Sequence, residues 1–163
     1  EEALSDFNRL IELDPEDRLA LAHRGEVYLE MDAVNKAKLS FQEGSRIDHK
    51  NDWPHYMLYL CSLKLDEESE DHLIQAMALS HESLEKDEND HRVRLNLALY
   101  QLVQGNYDAA QKVVGEAIEK GAKHHRMDSF LKDLQFFLKL FPDTKSVQQM
   151  LVWAEEKKSS LAD

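Results

Sequence analysis

The chain has 163 residues, enough to bury one core, and at 42% apolar its composition is not that of a disordered segment. A formal net charge of −12 repels a phosphate backbone and sets nucleic acid aside as a partner. The single cysteine, Cys61, excludes an internal disulfide, and no apolar run reaches the ~20 residues that a membrane helix needs.

Only 5 Gly and 3 Pro interrupt a chain rich in Leu, Ala, Glu and Lys, so helices are expected throughout. The opening stretch, EEALSDFNRLIELDPED, predicts an amphipathic helix with Ala3, Phe7 and Leu10 on one face and Pro15 as its stop. RLALAHRGEVYLEM (18–31) predicts a second helix, with Leu21, Val27, Tyr28 and Met31 apolar and Gly25 between them. A helix carrying Ala37 and Phe41 follows. WPHYMLYLCSLKL predicts another, with Asp52 as N-cap and Pro54 in the first turn. DEESED (66–71) reads as an exposed acidic loop. HRVRLNLALYQLV continues with Leu97, Ala98, Tyr100 and Leu102, and Gly105 is placed as its C-cap. HHRMDSFLKDLQFFLKLF (124–141) is helical up to Pro142. The last helix carries one apolar stripe of Val147, Met150, Leu151 and Ala154, with Glu155, Glu156, Lys157 and Lys158 outside it.

One pattern recurs four times along these elements. Ala3, Phe7, Leu10 and Pro15 are separated by 4, 3 and 5 residues. The same gaps separate Ala37, Phe41, Gly44 and His49, then Ala76, Ser80, Ser83 and Glu88, then Ala110, Val114, Ala117 and Ala122. Successive sets start 34, 39 and 34 residues apart. A period of 34 residues built from helix pairs resembles the tetratricopeptide repeat. Gly25 and Tyr28 stand where that family has its Gly and Tyr, Ala37 and Phe41 where it has its Ala and aromatic, and Pro15 where it closes a repeat. QGNYDAAQKVVGEAIEKG matches equally well, with Tyr107 and Ala110 at the turn. The second full repeat departs, with Tyr59 and Ser80 in place of the Gly and the aromatic and about five extra residues, placed at 66–71.

The resemblance covers residues 1–124 and, more loosely, the remainder. It implies an all-α, antiparallel helix-pair solenoid, a right-handed superhelix with a C-terminal capping helix. The expected organisation is one domain over 1–163. Residues 1–15 form the second helix of a repeat whose first helix lies upstream. Repeats follow at 16–50, at 51–88 with the acidic insertion, and at 89–123, and 124–163 forms a degenerate repeat with capping helices.

In that architecture the first helix of each repeat lines a concave groove that binds a partner. Carried onto this chain, the groove collects Glu26 and Leu29, then Trp53, Tyr56, Leu60 and Leu63, then Arg92, Leu95, Asn96 and Leu99, with Arg126 beyond. Arg92, Arg94 and Arg126 would give an otherwise apolar strip a charged rim, with Arg92 and Arg126 selecting an acidic flank on the ligand. Such a strip suits a helical or extended peptide, and Tyr, Trp and Arg are the usual energetic anchors. The family's clamp for the C-terminal carboxylate of heat-shock proteins uses Lys and Asn. Ala22, Glu26 and Met57 occupy its places here and only Arg92 and Asn96 are of suitable type, so that ligand is not implied.

No reactive constellation competes with this reading. The eight histidines form neither HExxH nor a zinc-like cluster and read as solvated positions, and Cys61 reads as a small buried core residue. GxSxG and GxxxxGK[ST] are absent, and DEESED lacks the spacing of a calcium loop. The expected function is a non-catalytic, cytoplasmic scaffold or adaptor without cofactor or metal that binds another protein. Alternatives are a structural segment that oligomerises through the first helix, and a regulatory region attached to a catalytic domain elsewhere in a longer chain.

Overall fold

Asp17 ends one turn and starts a helix: its carboxylate accepts the Leu19 and Ala20 amides, both at 3.0 Å, satisfying donors the helix cannot. The chain, in a computed structural model that describes residues 2–161, forms nine helices among the described residues. They are α1 (Glu2–Leu13), α2 (Arg18–Glu30), α3 (Val34–Ile47), α4 (Asp52–Leu65), α5 (Glu70–Lys86), α6 (His91–Val103), α7 (Tyr107–Glu119), α8 (His124–Leu140) and α9 (Lys145–Ser159). No strand occurs among the described residues. The chain forms two compact units, Glu1–Leu79 and Ser80–Asp163, with α5 running across the division.

The repeat register reappears as a backbone device. After α2, α4 and α6 the chain turns through a left-handed residue: Asp32 at φ 58°, Asp66 at φ 55° and Gly105 at φ 86°. Behind each, the amide of the next residue reaches five back, Ala33 to Tyr28, Glu67 to Ser62 and Asn106 to Gln101, at 2.8, 3.0 and 2.9 Å. This is the Schellman closure of a helix. Asp32 and Asp66 are 34 residues apart and Asp66 and Gly105 are 39 apart, the same two periods as the side-chain pattern. The C-cap of α6 is Gln104, one residue before the expected Gly105. The conformation that favours glycine falls on the residue after the cap.

Two other boundaries move for local reasons. Asn51, not Asp52, caps α4: its side-chain oxygen accepts the Trp53 amide at 3.1 Å, and Asp52 becomes the first helical residue. Pro54 lies in the first turn as expected, where a missing N–H removes no helical hydrogen bond. Of the acidic run, only 66–69 lie outside helix, while Glu70 and Asp71 form the first turn of α5, where carboxylates suit the positive end of the helix dipole.

In the first unit α1 packs on α2, α2 on α3 and α3 on α4. The core is Leu21 and Leu29 of α2, Ala37 and Phe41 of α3, and Met57, Leu60 and Cys61 of α4, all essentially inaccessible. Gly25 lets α2 and α3 close on each other. A Cβ there would lie 2.5 Å from Phe41 Cε1 and Cζ, inside van der Waals contact. Polar links tie the ends: Arg18 to Asp48, and Lys38 Nζ to Glu67 Oε2 at 2.5 Å. In α1 no described residue is fully buried, and Leu10 and Leu13 are exposed.

In the second unit α6 packs on α7, α8 and α9, and α8 packs on α9. Val93 and Ala98 of α6, Ala110 and Val114 of α7, Met127, Phe130 and Leu134 of α8, and Val147, Met150 and Ala154 of α9 are buried together. The α9 stripe is as expected, with Glu155, Glu156 and Lys157 exposed and Leu151 half-buried. Lys158 Nζ reaches back to Asp128 Oδ1 of α8 at 2.5 Å. Ala37, Ala76 and Ala110 are all at 0% exposure, so the small residue of each full repeat occupies interior space, whereas Ala3 of the opening helix is exposed.

Candidate partner-binding face

In the first unit, α2 and α4 bring a carboxylate against an indole. Trp53 Nε1 donates to Glu26 Oε1 at 3.2 Å, across 27 residues of chain. The other oxygen, Oε2, lies 3.1 Å from His23 Nδ1, one turn earlier on α2. The His23 ring is in turn 5.6 Å from Phe7 of α1, and the Trp53 ring is 5.3 Å from Tyr56. Three helices thus contribute to one line of aromatic and carboxylate groups, Phe7, His23, Glu26, Trp53 and Tyr56. Glu26 and Trp53 are half-buried, His23 is exposed and Tyr56 is buried. Glu26 holds the His23 imidazole above its usual value, chiefly through that hydrogen bond, with Asp17 adding to the effect and burial opposing it. His23 and Phe7 were missed as members of this face. The His23–Glu26 spacing of three residues was the signal that could have found His23.

The other expected groove residues divide by burial. Tyr56 at 1% exposure, Leu60 at 0% and Leu29 at 1% are interior in the first unit, and Leu63 at 38% is exposed. In the second unit Leu95, Asn96 and Leu99 are buried, Arg92 is exposed and Arg126 is half-buried. Arg94 is not a rim residue. It is 9% exposed, its guanidinium donates to the Glu88 carbonyl at 2.7 Å and pairs with Glu116 Oε2 at 3.3 Å, and it fastens α6 to α7 and to the turn before α6. The charge is unevenly shared. Glu1–Leu79 contains 18 Asp and Glu against 8 Lys and Arg, a net −10, and Ser80–Asp163 contains 14 against 12, a net −2.

Other chemistry-bearing residues have structural settings. Cys61 is buried, and its thiol is pushed up to about 12 by that burial, far from a reactive thiolate. Among the described residues no group of three or more His, Cys, Asp and Glu side chains is placed to hold a metal ion. No described helix is long and apolar enough to cross a membrane.

Two histidines depart from the expected solvation. His55 of α4 and His72 of α5 are half-buried with ring centroids 6.4 Å apart, and Ser45 Oγ lies 3.2 Å from His55 Nε2. Burial lowers both imidazoles, helped by the charge of His72 on His55 and of Lys38 on His72, while Asp52 and Asp71 oppose. Their unfolded-state value near 6.5 is higher, so the unfolded chain binds protons first and their contribution to stability is lost as pH falls below about 6.5. His23 has the opposite sign: its contribution is present below about 6.5 and is lost as pH rises through its raised value. Urea midpoints measured between about pH 5.5 and 7.5 should therefore depend less on pH in His55→Gln and fall more steeply on acidification in His23→Gln. Parallel profiles for wild type and both variants would contradict these assignments.

Solved structures supply the comparison. The chain is similar to TTC0263, a thermophilic TPR protein of Thermus thermophilus, at 17% identity over 93% of this chain and 88% of that chain, with a TM-score of 0.55. It is similar to MamA at 16% identity over 97% and 90%, with a TM-score of 0.46. It is similar to YrrB, described as a TPR protein with an unusual peptide-binding site, at 20% identity over 90% and 80%, with a TM-score of 0.41. No protein-family model matches the sequence, and no curated protein matches it significantly. Helix pairs in a 34-residue register, closed by recurring left-handed turns and superposable on TTC0263, give this chain an all-α helical-repeat fold of the tetratricopeptide type.

Proposed function

We propose that this chain is a non-catalytic protein-interaction module that binds a helical or extended segment of a partner protein on the faces of its first helices. The observation that carries the reading is the Glu26–Trp53 pair. An indole and a carboxylate are held together across α2 and α4, yet both stay partly open to solvent, while Leu29 and Leu60 of the same two helices are sealed in the core. Such half-open aromatic groups on a rigid scaffold are typical anchors of an interface. Leu19, 72% exposed and two helical turns before Glu26 on α2, adds apolar surface on the same helix. In the second unit, exposed Arg92 and half-buried Arg126 would select an acidic flank.

The immobilised protein, incubated with a cell lysate, should retain specific partners identified by mass spectrometry. Retention should fall at least about tenfold in the Leu19→Asp, Trp53→Ala double variant, one anchor being worth about 2 kcal/mol or more. It should persist in Leu39→Asp, a change at an exposed position of α3. The reverse pattern, with partners lost at Leu39 and kept at Trp53, would overturn the reading.

A further inference from the structure

We infer that the Glu26–Trp53 pair is a receptor for a lysine or arginine side chain, carried by a basic segment of the protein partner. This rests on the protein-binding reading and specifies the chemistry of what the first unit recognises.

The pair has the parts a cation site needs. Each carboxylate oxygen of Glu26 carries two lone pairs, and the indole N–H and His23 Nδ1 engage one oxygen each, at 3.2 and 3.1 Å, so acceptor capacity remains on both. The Glu26 side chain is 25% exposed, so this capacity opens toward solvent. An indole whose N–H donates to an anion gains electron density, and an electron-rich indole face is the best aromatic partner for a cation. The Trp53 ring leans on Tyr56 at 46°, and Tyr56 is 1% exposed and cannot swing away, so the indole is positioned before any ligand arrives.

The surroundings have the matching sign. Asp17 acts on His23 in the same sense as Glu26, favouring its protonated form, so the field at this face already stabilises positive charge. With a net charge of −10, Glu1–Leu79 attracts a basic segment over distances of about a Debye length and repels an acidic or phosphorylated one. The exposed Leu19, two turns before Glu26 on α2, offers apolar surface for an apolar residue elsewhere in the same segment. The second unit contains a local example of the contact: Lys157 Nζ lies 5.6 Å from the Trp153 ring centroid.

The two tryptophans, Trp53 and Trp153, make the test internally controlled. Their indole N–H signals are followed by nitrogen–proton correlation NMR while the whole chain is titrated with a short acetylated and amidated Leu–Lys peptide. A Leu–Glu peptide of the same pattern is titrated in parallel. The Trp53 signal should move with the Leu–Lys peptide and stay still with the Leu–Glu peptide, and the Trp153 signal should serve as the unmoved reference. Glu26→Gln keeps an oxygen that can accept the indole N–H and should weaken the Leu–Lys peptide about tenfold, as expected for loss of a charge-assisted contact. Glu26→Lys should turn the preference toward the Leu–Glu peptide. Equal shifts of Trp53 with both peptides in the wild-type chain would overturn the basic ligand while leaving a protein-binding face in place. A Trp53 signal that neither peptide moves, or undiminished affinity in Glu26→Gln, would also overturn it. The lysate experiment judges the broader reading separately.

Discussion

Gly25→Ala is expected to destabilise the protein by about 1–3 kcal/mol, the usual cost of overfilling a packed core. The sign is the informative part. In a helix interior the same change ordinarily stabilises by about 1 kcal/mol, because alanine is the better helix former and has less freedom to lose. At Gly25 the added methyl would sit 2.5 Å from the Phe41 ring, and Phe41 is itself 1% exposed with no room to retreat. α2 and α3 must therefore separate, or the ring must leave its rotamer. Gly115 of α7 supplies the comparison: a Cβ there meets nothing within 4 Å. Gly115→Ala should raise the denaturation midpoint and Gly25→Ala should lower it. If both rise, the close approach of α2 and α3 does not exist as described.

Leu60→Ala is expected to destabilise by about 2–5 kcal/mol, the range for a leucine emptied from a close-packed interior. Leu60 is at 0% exposure between inaccessible neighbours Met57 and Cys61 on α4, so the void cannot fill with water. Tyr56, 1% exposed, belongs to the same class. Both were expected as ligand contacts, together with Leu29 and Leu99, and their burial changes how such variants must be read. Loss of partner binding in Leu60→Ala or Tyr56→Ala would accompany a fall in melting temperature and would report the scaffold. Loss in a Trp53 variant, without that fall, would report the face. Thermal unfolding followed by circular dichroism separates the two, and a Leu60→Ala chain that melts with the wild type would show that Leu60 is not core.

The difference between Leu60 and Trp53 has a simple origin. Both stand at helical spacing on α4, and a stripe of apolar residues looks the same whether it meets a neighbouring helix or a ligand. Arg94 makes the same point for charge. It sits two residues from Arg92, yet Arg92 is exposed whereas Arg94 is folded inward by the Glu88 carbonyl and Glu116. Sequence spacing says which residues share a side of a helix; what covers that side depends on partners far along the chain.

The local features were legible because their causes are local. The 34- and 39-residue periods reappear as left-handed turns at Asp32, Asp66 and Gly105. The small residues Ala37, Ala76 and Ala110 are buried because each repeat needs one place of close helix contact. At the positions where the first repeat has Gly25 and Phe41, the second has Tyr59 and Ser80 and the third Ala98 and Val114, so where one member is enlarged the other is reduced. That exchange is visible in the sequence once the register is known. Helices, their order and their period were thus determined by hydrophobic spacing and capping residues within a few turns of chain. The half-buried state of His55 and His72, the inward turn of Arg94 and the meeting of Glu26 with Trp53 were decided only by tertiary structure. Each depends on which side chains from distant segments arrive at the same place, and on how much water they leave there.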